Sequence, residues 1–156
     1  MRILLTNDDG IDARGICILE EVLSESHEVC VVAPCANRSG SSSSISMYSD
    51  QKLVKKSEKK FSLDGSPVDC VISALRGGYI PFVPEVVISG INNGANLGTD
   101  IIYSGTCGAA RQASLYGVPG LALSIDFSYG ECSFTGSLTE ESEKKDSAYR
   151  SLSYYV

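Results

Sequence analysis

Residues 3–10 read Ile-Leu-Leu-Thr-Asn-Asp-Asp-Gly, and this stretch decides the fold that we predict. Its apolar start predicts a buried strand, and Asp8 and Asp9 follow at the point where that strand ends. Open α/β sheets bind their ligands outside the carboxyl ends of the strands. Two adjacent carboxylates at that place suit a hard divalent cation such as Mg²⁺, which prefers oxygen ligands. Asn, Asp and Gly are also common turn residues, so the stretch by itself leaves a solvated turn as an equal alternative.

The composition indicates a single globular domain covering residues 1–156. Hydrophobic residues make up 43% and charged residues 21% of the 156 positions, which suffices for one domain with a core. The net charge of -6 argues against a protein that holds nucleic acid by its phosphates. No apolar run is long enough for a membrane span, and the start of the chain lacks the apolar region of a signal peptide. We therefore expect a cytoplasmic protein with no membrane or nucleic-acid partner.

The cysteines and the single histidine exclude some chemistry. The six cysteines are widely spaced and form no C-x-x-C pair, so we expect reduced thiols. His27 is the only histidine and has no cluster of metal ligands near it in sequence. The sequence therefore argues against a zinc site and against a nucleophilic triad built on histidine.

The elements that follow the first strand predict a parallel sheet. Gly15–Ser26 has apolar residues at helical spacing, and Glu28–Pro34 is a nearly continuous apolar run, typical of a strand buried on both faces. Strand, helix and strand in this order make a right-handed βαβ unit. Further buried strands are predicted at Glu85–Ser89 and Leu121–Ile125, which indicates an α/β fold.

Three other segments have simpler signals. Residues 47–63 alternate weakly and include Lys52–Lys60, which favours an exposed hairpin at the sheet edge. Ser66 and Pro67 open a helix in which Asp69 occupies the first turn, a position that suits the helix dipole better than catalysis. Residues 127–136 are predicted as a loop and residues 139–156 as a helix that ends without a cap. The apolar face of that last helix is expected to comprise Ala148, Leu152, Tyr155 and Val156.

Polar loops follow the other strands at the same predicted sheet edge as Asp8 and Asp9. Residues 36–46 are serine-rich, and Ser39 with the amides near Gly40 could reach a cation or a phosphate, whereas residues 41–44 are predicted as a flexible polar loop. Residues 90–100 are rich in Asn and Gly, and Asn can offer a neutral oxygen to a cation. Ser104–Thr106 opens a helix of small residues, which is either an anion site at the first-turn amides or an ordinary cap.

Taken together, these blocks resemble the SurE survival-protein family, metal-dependent phosphatases that act on nucleoside monophosphates. The matching blocks are residues 3–10, 31–34 with 37–40, 65–71, 89–98 and 102–106, in the family's order and spacing. Cys35 stands where the family often has Asp, at a position that is not a ligand. The resemblance implies a Rossmann-like three-layer α/β/α fold with a mostly parallel sheet, a cytoplasmic location and a homodimer or homotetramer. It also implies that this chain lacks the C-terminal part of the family fold.

The resemblance further implies the residues of the site. The implied metal ligands are Asp8, Asp9, Ser39 and Asn92, with the two aspartates also catalytic, and the implied phosphate contacts are Asn96, Ser104, Gly105 and Thr106. One divalent ion per subunit, Mg²⁺ or Mn²⁺, would serve hydrolysis of nucleoside 5'-monophosphates. Activity on 3'-monophosphates and on short polyphosphate is also allowed. The nucleophile stays open between an activated water and Asp8 itself.

Two rival functions remain at this point. A phosphotransferase of the haloacid-dehalogenase type would want a D-x-D pattern and a lysine at a strand end, which this chain lacks. A non-catalytic nucleotide- or metal-binding module, or an inactive fragment of the fold, would keep the loops without turnover. For a nucleobase, the candidate aromatic or apolar contacts are Tyr48, Tyr79, Phe82 and Tyr103.

Overall fold

Strands and helices alternate in the computed structural model, which describes residues 1–126 and 138–156. The strands are β1 (Arg2–Thr6), β2 (Glu28–Pro34), β3 (Leu53–Ser57), β4 (Lys60–Leu63), β5 (Val86–Asn93) and β6 (Gly120–Ile125). The helices are α1 (Arg14–Ser24), α2 (Pro67–Arg76), α3 (Asp100–Tyr103), α4 (Gly105–Leu115) and α5 (Leu138–Ser153).

The strands form one sheet in the order β3-β4-β2-β1-β5-β6. All neighbouring pairs are parallel except β3 with β4. The chain starts at the centre of the sheet with β1, adds strands on the β2 side, and then crosses to the other side with β5. This reversal creates a topological switch point beside β1, the place where α/β sheets bind their ligands.

Helices cover both faces of the sheet, as the continuous apolar strands require. In β1, Ile3 and Leu5 belong to the core under α1 and α5, whereas Leu4 belongs to the core under α2 and α4. All three side chains are at most 1% exposed. The same alternation recurs in β2, where Val31 faces the first core and Val32 the second. The predicted three-layer α/β/α fold with a mostly parallel sheet is confirmed.

The predicted hairpin and sheet edge are also found. All five residues of β3 are exposed, and among the strands of residues 1–126 and 138–156 β3 pairs with β4 alone. Its lysines, Lys55 and Lys56, lie on the outermost strand, where charge discourages pairing with another chain. The five cysteines in the described part of the chain are free thiols, and burial raises the pKa of Cys30 to about 12.

Two details differ from the sequence-based predictions: the residue at which β5 ends and the aromatic residue that α5 buries. Strand β5 continues to Asn93 rather than ending at Ser89, because Asn92 and Asn93 pair with β6 after a register shift. In α5 the buried aromatic residue is Tyr149, which is 4% exposed, whereas Tyr155 is 87% exposed. Tyr149 lies on the same helical stripe as Leu152, which packs on the core under α1, and Tyr155 lies beyond the end of the helix. The loop predicted for residues 127–136 lies outside the described residues.

No helix in the described ranges is both long and apolar enough to cross a membrane.

Candidate functional site

The loop after β1 is held in shape by its own residues. The side-chain amide of Asn7 donates to the carbonyl of Gly10 at 2.8 Å, and the Gly10 amide donates back to Asn7 Oδ1 at 3.2 Å. Gly10 has a φ of +106°, and a Cβ there would lie 3.2 Å from the backbone of Ala36. Glycine suits this position because it adopts a positive φ without strain and has no Cβ to contact Ala36. Asn7 therefore shapes the loop, and the two aspartates are the side chains left for chemistry.

Asp8 is held by the start of α4. Thr106 Oγ1 donates to Asp8 Oδ1 at 2.7 Å, and the Thr106 amide donates to Asp8 Oδ2 at 3.3 Å. Asp8 is 3% exposed and Thr106 is fully buried. Gly105 leaves room for this contact, because a Cβ on it would lie 2.9 Å from Asp8 Cβ. The positive end of the helix dipole and two hydrogen bonds therefore fix the orientation of this carboxylate.

Asp9 is half-buried beside Asp8, and its charge is less well compensated. Its Oδ2 accepts a long hydrogen bond of 3.4 Å from the Asn93 amide. Burial and the neighbouring Asp8 carboxylate raise the pKa of Asp9 above its ordinary value, against the smaller effect of the Asn93 amide. A cation between the two carboxylates would relieve this repulsion.

An open cavity of about 240 Å³ brings most of the predicted site residues together. Those that line it are Asp8, Asp9, Ser39, Asn92, Asn96 and Ser104. Gly105 and Thr106 lie instead behind Asp8, as described above. Asn93 and Asp100, to which the sequence assigned no site role, also line the cavity, as do Gly40, near which the amides were candidates for a cation or a phosphate, and Tyr103, one of several aromatic candidates. Asn93 and Asp100 both belong to residues 90–100, one of the polar loops predicted at this edge of the sheet.

The donor atoms around this cavity fit a hard divalent cation. No lysine or arginine in the described part of the chain lines the cavity, so the two carboxylates have no cationic side chain there. The Asn92 side-chain amide donates to the Gly94 carbonyl at 2.9 Å, which leaves its Oδ1 as the free ligand atom. Ser41 Oγ, which flanks Gly105 together with Asp8, is buried and has no hydrogen-bond partner among the described residues. In residues 1–126 and 138–156 no cluster of three or more His, Cys, Asp or Glu side chains occurs, so any metal would rely on neutral oxygens as well.

Comparison with known proteins identifies the family. The model of the family described as survival protein SurE matches residues 3–152. The chain belongs to the SurE family. A protein named 5'-nucleotidase SurE from Stenotrophomonas maltophilia is 49% identical over 126 residues, which is 80% of this chain and 48% of that protein. One named 5'-nucleotidase SurE 1 from Burkholderia lata is 45% identical over 127 residues, covering 81% of this chain and 49% of its own length.

A solved SurE structure has the same fold. The crystal structure of the SurE protein from Aquifex aeolicus superposes with a TM-score of 0.76 at 34% identity, over 99% of this chain and 60% of that one. The chain therefore spans about half the length of the curated SurE relatives that it matches.

The serine-rich loop of this SurE chain is tied down, which corrects the prediction of a flexible loop for residues 41–44. The Ser42 amide donates to the Tyr103 carbonyl at 2.9 Å, and Ser42 Oγ donates to the Ile102 carbonyl at 2.7 Å. Arg111 donates to Ser43 Oγ at 2.8 Å. Ser42 and Ser43 thus have specific partners on α3 and α4, which composition alone cannot show.

The end of the loop is tied to α2. Ser66 and Asp69 form a capping box, the N-cap predicted from the sequence. Asp69 also accepts hydrogen bonds from the amide and the hydroxyl of Ser46, at 2.9 and 2.8 Å. Burial alone would raise the pKa of Asp69, but the hydrogen bonds from Ser46 and Ser66 outweigh it and hold the pKa below its ordinary value.

We expect Asp69 to make the stability of the fold depend on pH in the acid range. Because its pKa is lower in the folded chain than the value of about 3.9 for an unfolded chain, the unfolded state binds more protons. The stability that Asp69 contributes is complete above the unfolded pKa and is lost as the pH falls through the folded pKa. Urea unfolding from pH 6 to pH 2 should show a smaller loss of unfolding free energy for Asp69→Asn than for the wild type. Exposed Glu25→Gln is the control, and an unchanged slope for Asp69→Asn would contradict the assignment.

Proposed function

We propose that this chain carries the site of a divalent-metal-dependent phosphatase that hydrolyses nucleoside 5'-monophosphates to nucleoside and phosphate. The observation that carries the proposal is that two adjacent carboxylates, Asp8 and Asp9, line one open cavity together with neutral oxygen donors and without a lysine or arginine from the described residues. Membership of the SurE family and relatives named 5'-nucleotidases support it. Hydrolysis of 3'-monophosphates or of short polyphosphate, a homo-oligomer and a cytoplasmic location remain predictions.

We assign the binding of the cation to four side chains. Asp8 and Asp9 would supply charge, and Ser39 and Asn92 would supply neutral oxygens. When bound, Mg²⁺ or Mn²⁺ supplies positive charge that stabilises the phosphoryl oxygens during transfer. Asp8 cannot rotate freely, because both of its oxygens accept hydrogen bonds from Thr106. It is thereby held ready for the ion at no further cost in side-chain entropy.

Two neighbouring side chains can donate to the phosphoryl group. Ser104 Oγ accepts from the Cys107 amide at 3.1 Å, so its own proton is available for a phosphoryl oxygen. The Asn96 amide donates to Ser124 Oγ at 2.6 Å and keeps its second N–H for the substrate. With the positive end of α4 behind Asp8, these donors would take up charge that develops on the phosphoryl oxygens. Gly105 and Thr106 would contribute indirectly, because they form the start of α4 that holds Asp8.

The contacts of Asp8 favour water over Asp8 as the nucleophile. Attack by Asp8 would need one of its oxygens to leave Thr106 and approach phosphorus. Asp9 uses only Oδ2, in a long hydrogen bond, so Asp9 Oδ1 can accept the proton of an attacking water. The water oxygen bonds to phosphorus while the ester oxygen leaves and is protonated by solvent. Capture of a phosphorylated Asp8 after rapid acid quenching would refute this order.

Phosphate release from a panel of nucleoside monophosphates, with and without Mn²⁺, tests the proposed function. We expect release that depends on the metal and is abolished by EDTA. Binding of Mn²⁺ without release from any nucleotide would instead favour the non-catalytic module. Phosphate release from short polyphosphate, measured in the same assay, tests whether the chain also hydrolyses polyphosphate.

Among the aromatic candidates, we assign contact with a nucleobase to Tyr103. Tyr79 packs edge-on against Phe61 in the core, and Tyr48 is not part of the cavity, whereas Tyr103 lines it and is 64% exposed. We expect Tyr103→Ala to raise the KM for nucleoside monophosphates about tenfold, since stacking on one base stabilises binding by roughly 1–3 kcal/mol. The KM for glycerol phosphate, which has no base, should stay the same. Tyr103→Phe is the matched control, and an equal rise for both substrates would contradict a role in base contact.

A further inference from the structure

Asp69 makes more hydrogen bonds than the cap of α2 needs. It is 4% exposed and does not line the cavity of the proposed metal site. For the cap, its Oδ2 accepts from the Ser66 amide at 2.9 Å. Two further donors, the amide and hydroxyl of Ser46, come from the end of the serine-rich loop. Ser66 adds to this attachment, because its hydroxyl donates to the Ser44 carbonyl at 2.6 Å.

The serine loop, residues 38–46, is thus attached at three places. At its start the Arg38 amide donates to the Asp8 carbonyl at 2.6 Å. In its middle Ser42 bonds to α3, and at its end Ser46 bonds to Asp69. Ser39 lies between the first two attachments, and its own amide donates to the neighbouring Asn37 side chain, at 2.9 Å. The position of the Ser39 hydroxyl therefore depends on the path of the whole loop.

We propose that Asp69 is a positioning residue that holds the serine loop, and with it Ser39 and Ser41, against the carboxylates of the metal site. The inference rests on the proposed function for the role of those carboxylates. A buried carboxylate that accepts from two elements fixes their separation, because moving either element would leave a desolvated charge with too few donors. Without the Asp69 carboxylate, the contact of Ser66 with the Ser44 carbonyl would remain at the end of the loop. The loss of conformational entropy on ordering the loop would then oppose metal binding.

The test compares Asp69→Asn with the wild type in two measurements made well below the melting temperature. An amide side chain has about the same shape, but its nitrogen cannot accept hydrogen bonds from Ser46 or Ser66. First, hydrogen exchange of the metal-free chain follows the amides of Ser42 and Ser44, which are hydrogen-bonded in the loop. We expect exchange in Asp69→Asn to be at least about tenfold faster. Second, titration with Mn²⁺ alone should show a dissociation constant raised roughly 10- to 100-fold, the usual effect of losing a group that orients metal ligands.

A second variant separates positioning from general loss of stability. Val71→Ala lies on the same helix, two residues further on, and its fully buried side chain faces the core rather than the loop. It should lower the melting temperature while changing loop exchange and Mn²⁺ affinity less than about twofold. Ser46→Ala, which removes only the hydroxyl contact, should fall between the wild type and Asp69→Asn in both measurements.

Each remaining outcome has a definite meaning. Unchanged loop exchange in Asp69→Asn overturns the inference, and so does faster exchange with an unchanged Mn²⁺ dissociation constant. Equal effects of Val71→Ala overturn it as well. A wild-type chain that binds Mn²⁺ but releases no phosphate would overturn the proposed function, and the comparison of Asp69→Asn with the wild type would still decide the positioning by Asp69. A wild type that binds no Mn²⁺ would overturn both.

Discussion

Asp9→Asn should fold normally and lose phosphate release by about a hundredfold or more, equivalent to roughly 2.7 kcal/mol of transition-state stabilisation. The amide keeps the size of the side chain and can still accept from the Asn93 amide. It removes one of two charges that would hold the cation and the atom assigned to accept a proton. Burial and the repulsion from Asp8 both raise the pKa of Asp9, so they oppose its charge, and removing that charge should leave the unfolding free energy the same or higher.

The measurement is kcat at saturating Mn²⁺, together with the melting temperature of the metal-free chain. Asp12→Asn is the matched control, because this exposed neighbour in sequence does not line the cavity. A variant with wild-type kcat would show that Asp9 is neither a metal ligand nor a catalytic residue. A variant with a much lower melting temperature would show that the negative charge of Asp9 stabilises the fold.

The second large effect is expected for Gly108→Ala, which should weaken the binding of Mn²⁺ although Gly108 does not line the cavity. Gly108 lies in α4 with the serine loop directly over it, and an added Cβ would lie 2.4 Å from the carbonyl oxygen of Ser42. Backbone cannot rotate away as a side-chain end can, so the loop must shift. Overpacking of this kind usually costs about 1–3 kcal/mol. The better helix propensity of alanine returns at most about 1 kcal/mol.

We expect the Mn²⁺ dissociation constant of Gly108→Ala to rise about tenfold, because the loop that shifts carries Ser39. High Mn²⁺ should restore much of the turnover, since the carboxylates are intact. Ser114→Ala, an exposed change in the same helix, is the control for helix propensity. Wild-type Mn²⁺ affinity in Gly108→Ala would show that the loop can move without carrying its ligand away.

Much of the fold followed from local patterns in the sequence. Continuous apolar strands required cover on both faces, and Ser66 with Pro67 placed the start of α2 correctly. The buried face of α5 was predicted only in part. Leu152 and Val156 pack on the core as expected, but the buried aromatic residue is Tyr149 rather than Tyr155, because periodicity alone does not say which of two neighbouring stripes meets α1. The full length of β5 was not predicted either, because the pairing of Asn92 with β6 depends on a strand far along the chain.

The grouping of the polar loops could be predicted, because parallel strands bring their carboxyl ends to the same edge of the sheet. That rule placed the loops containing Asp8, Ser39 and Asn92 at one edge, and the structure lines one cavity with all three. What it could not provide is how polar groups pair with one another. Thr106 was assigned to phosphate by resemblance, but its hydroxyl donates to Asp8. Likewise, the second attachment of Asp69 depends on Ser46, which lies 23 positions earlier in the chain.

The contact between Asp8 and Thr106 joins residues 98 positions apart and so also bears on folding. Such a distant contact forms only after β1, β5 and α4 have assembled, and long-range contacts of this kind are slow to form. An incompletely folded chain would offer a cation one adjacent carboxylate pair without its neutral partners. The ion would therefore favour the native state over every earlier species, adding roughly 2.7 kcal/mol at a free concentration of 100 times its dissociation constant. Under the proposed function, binding of the metal would therefore depend on complete assembly of the sheet, because the assigned ligands lie after β1, after β2 and in β5.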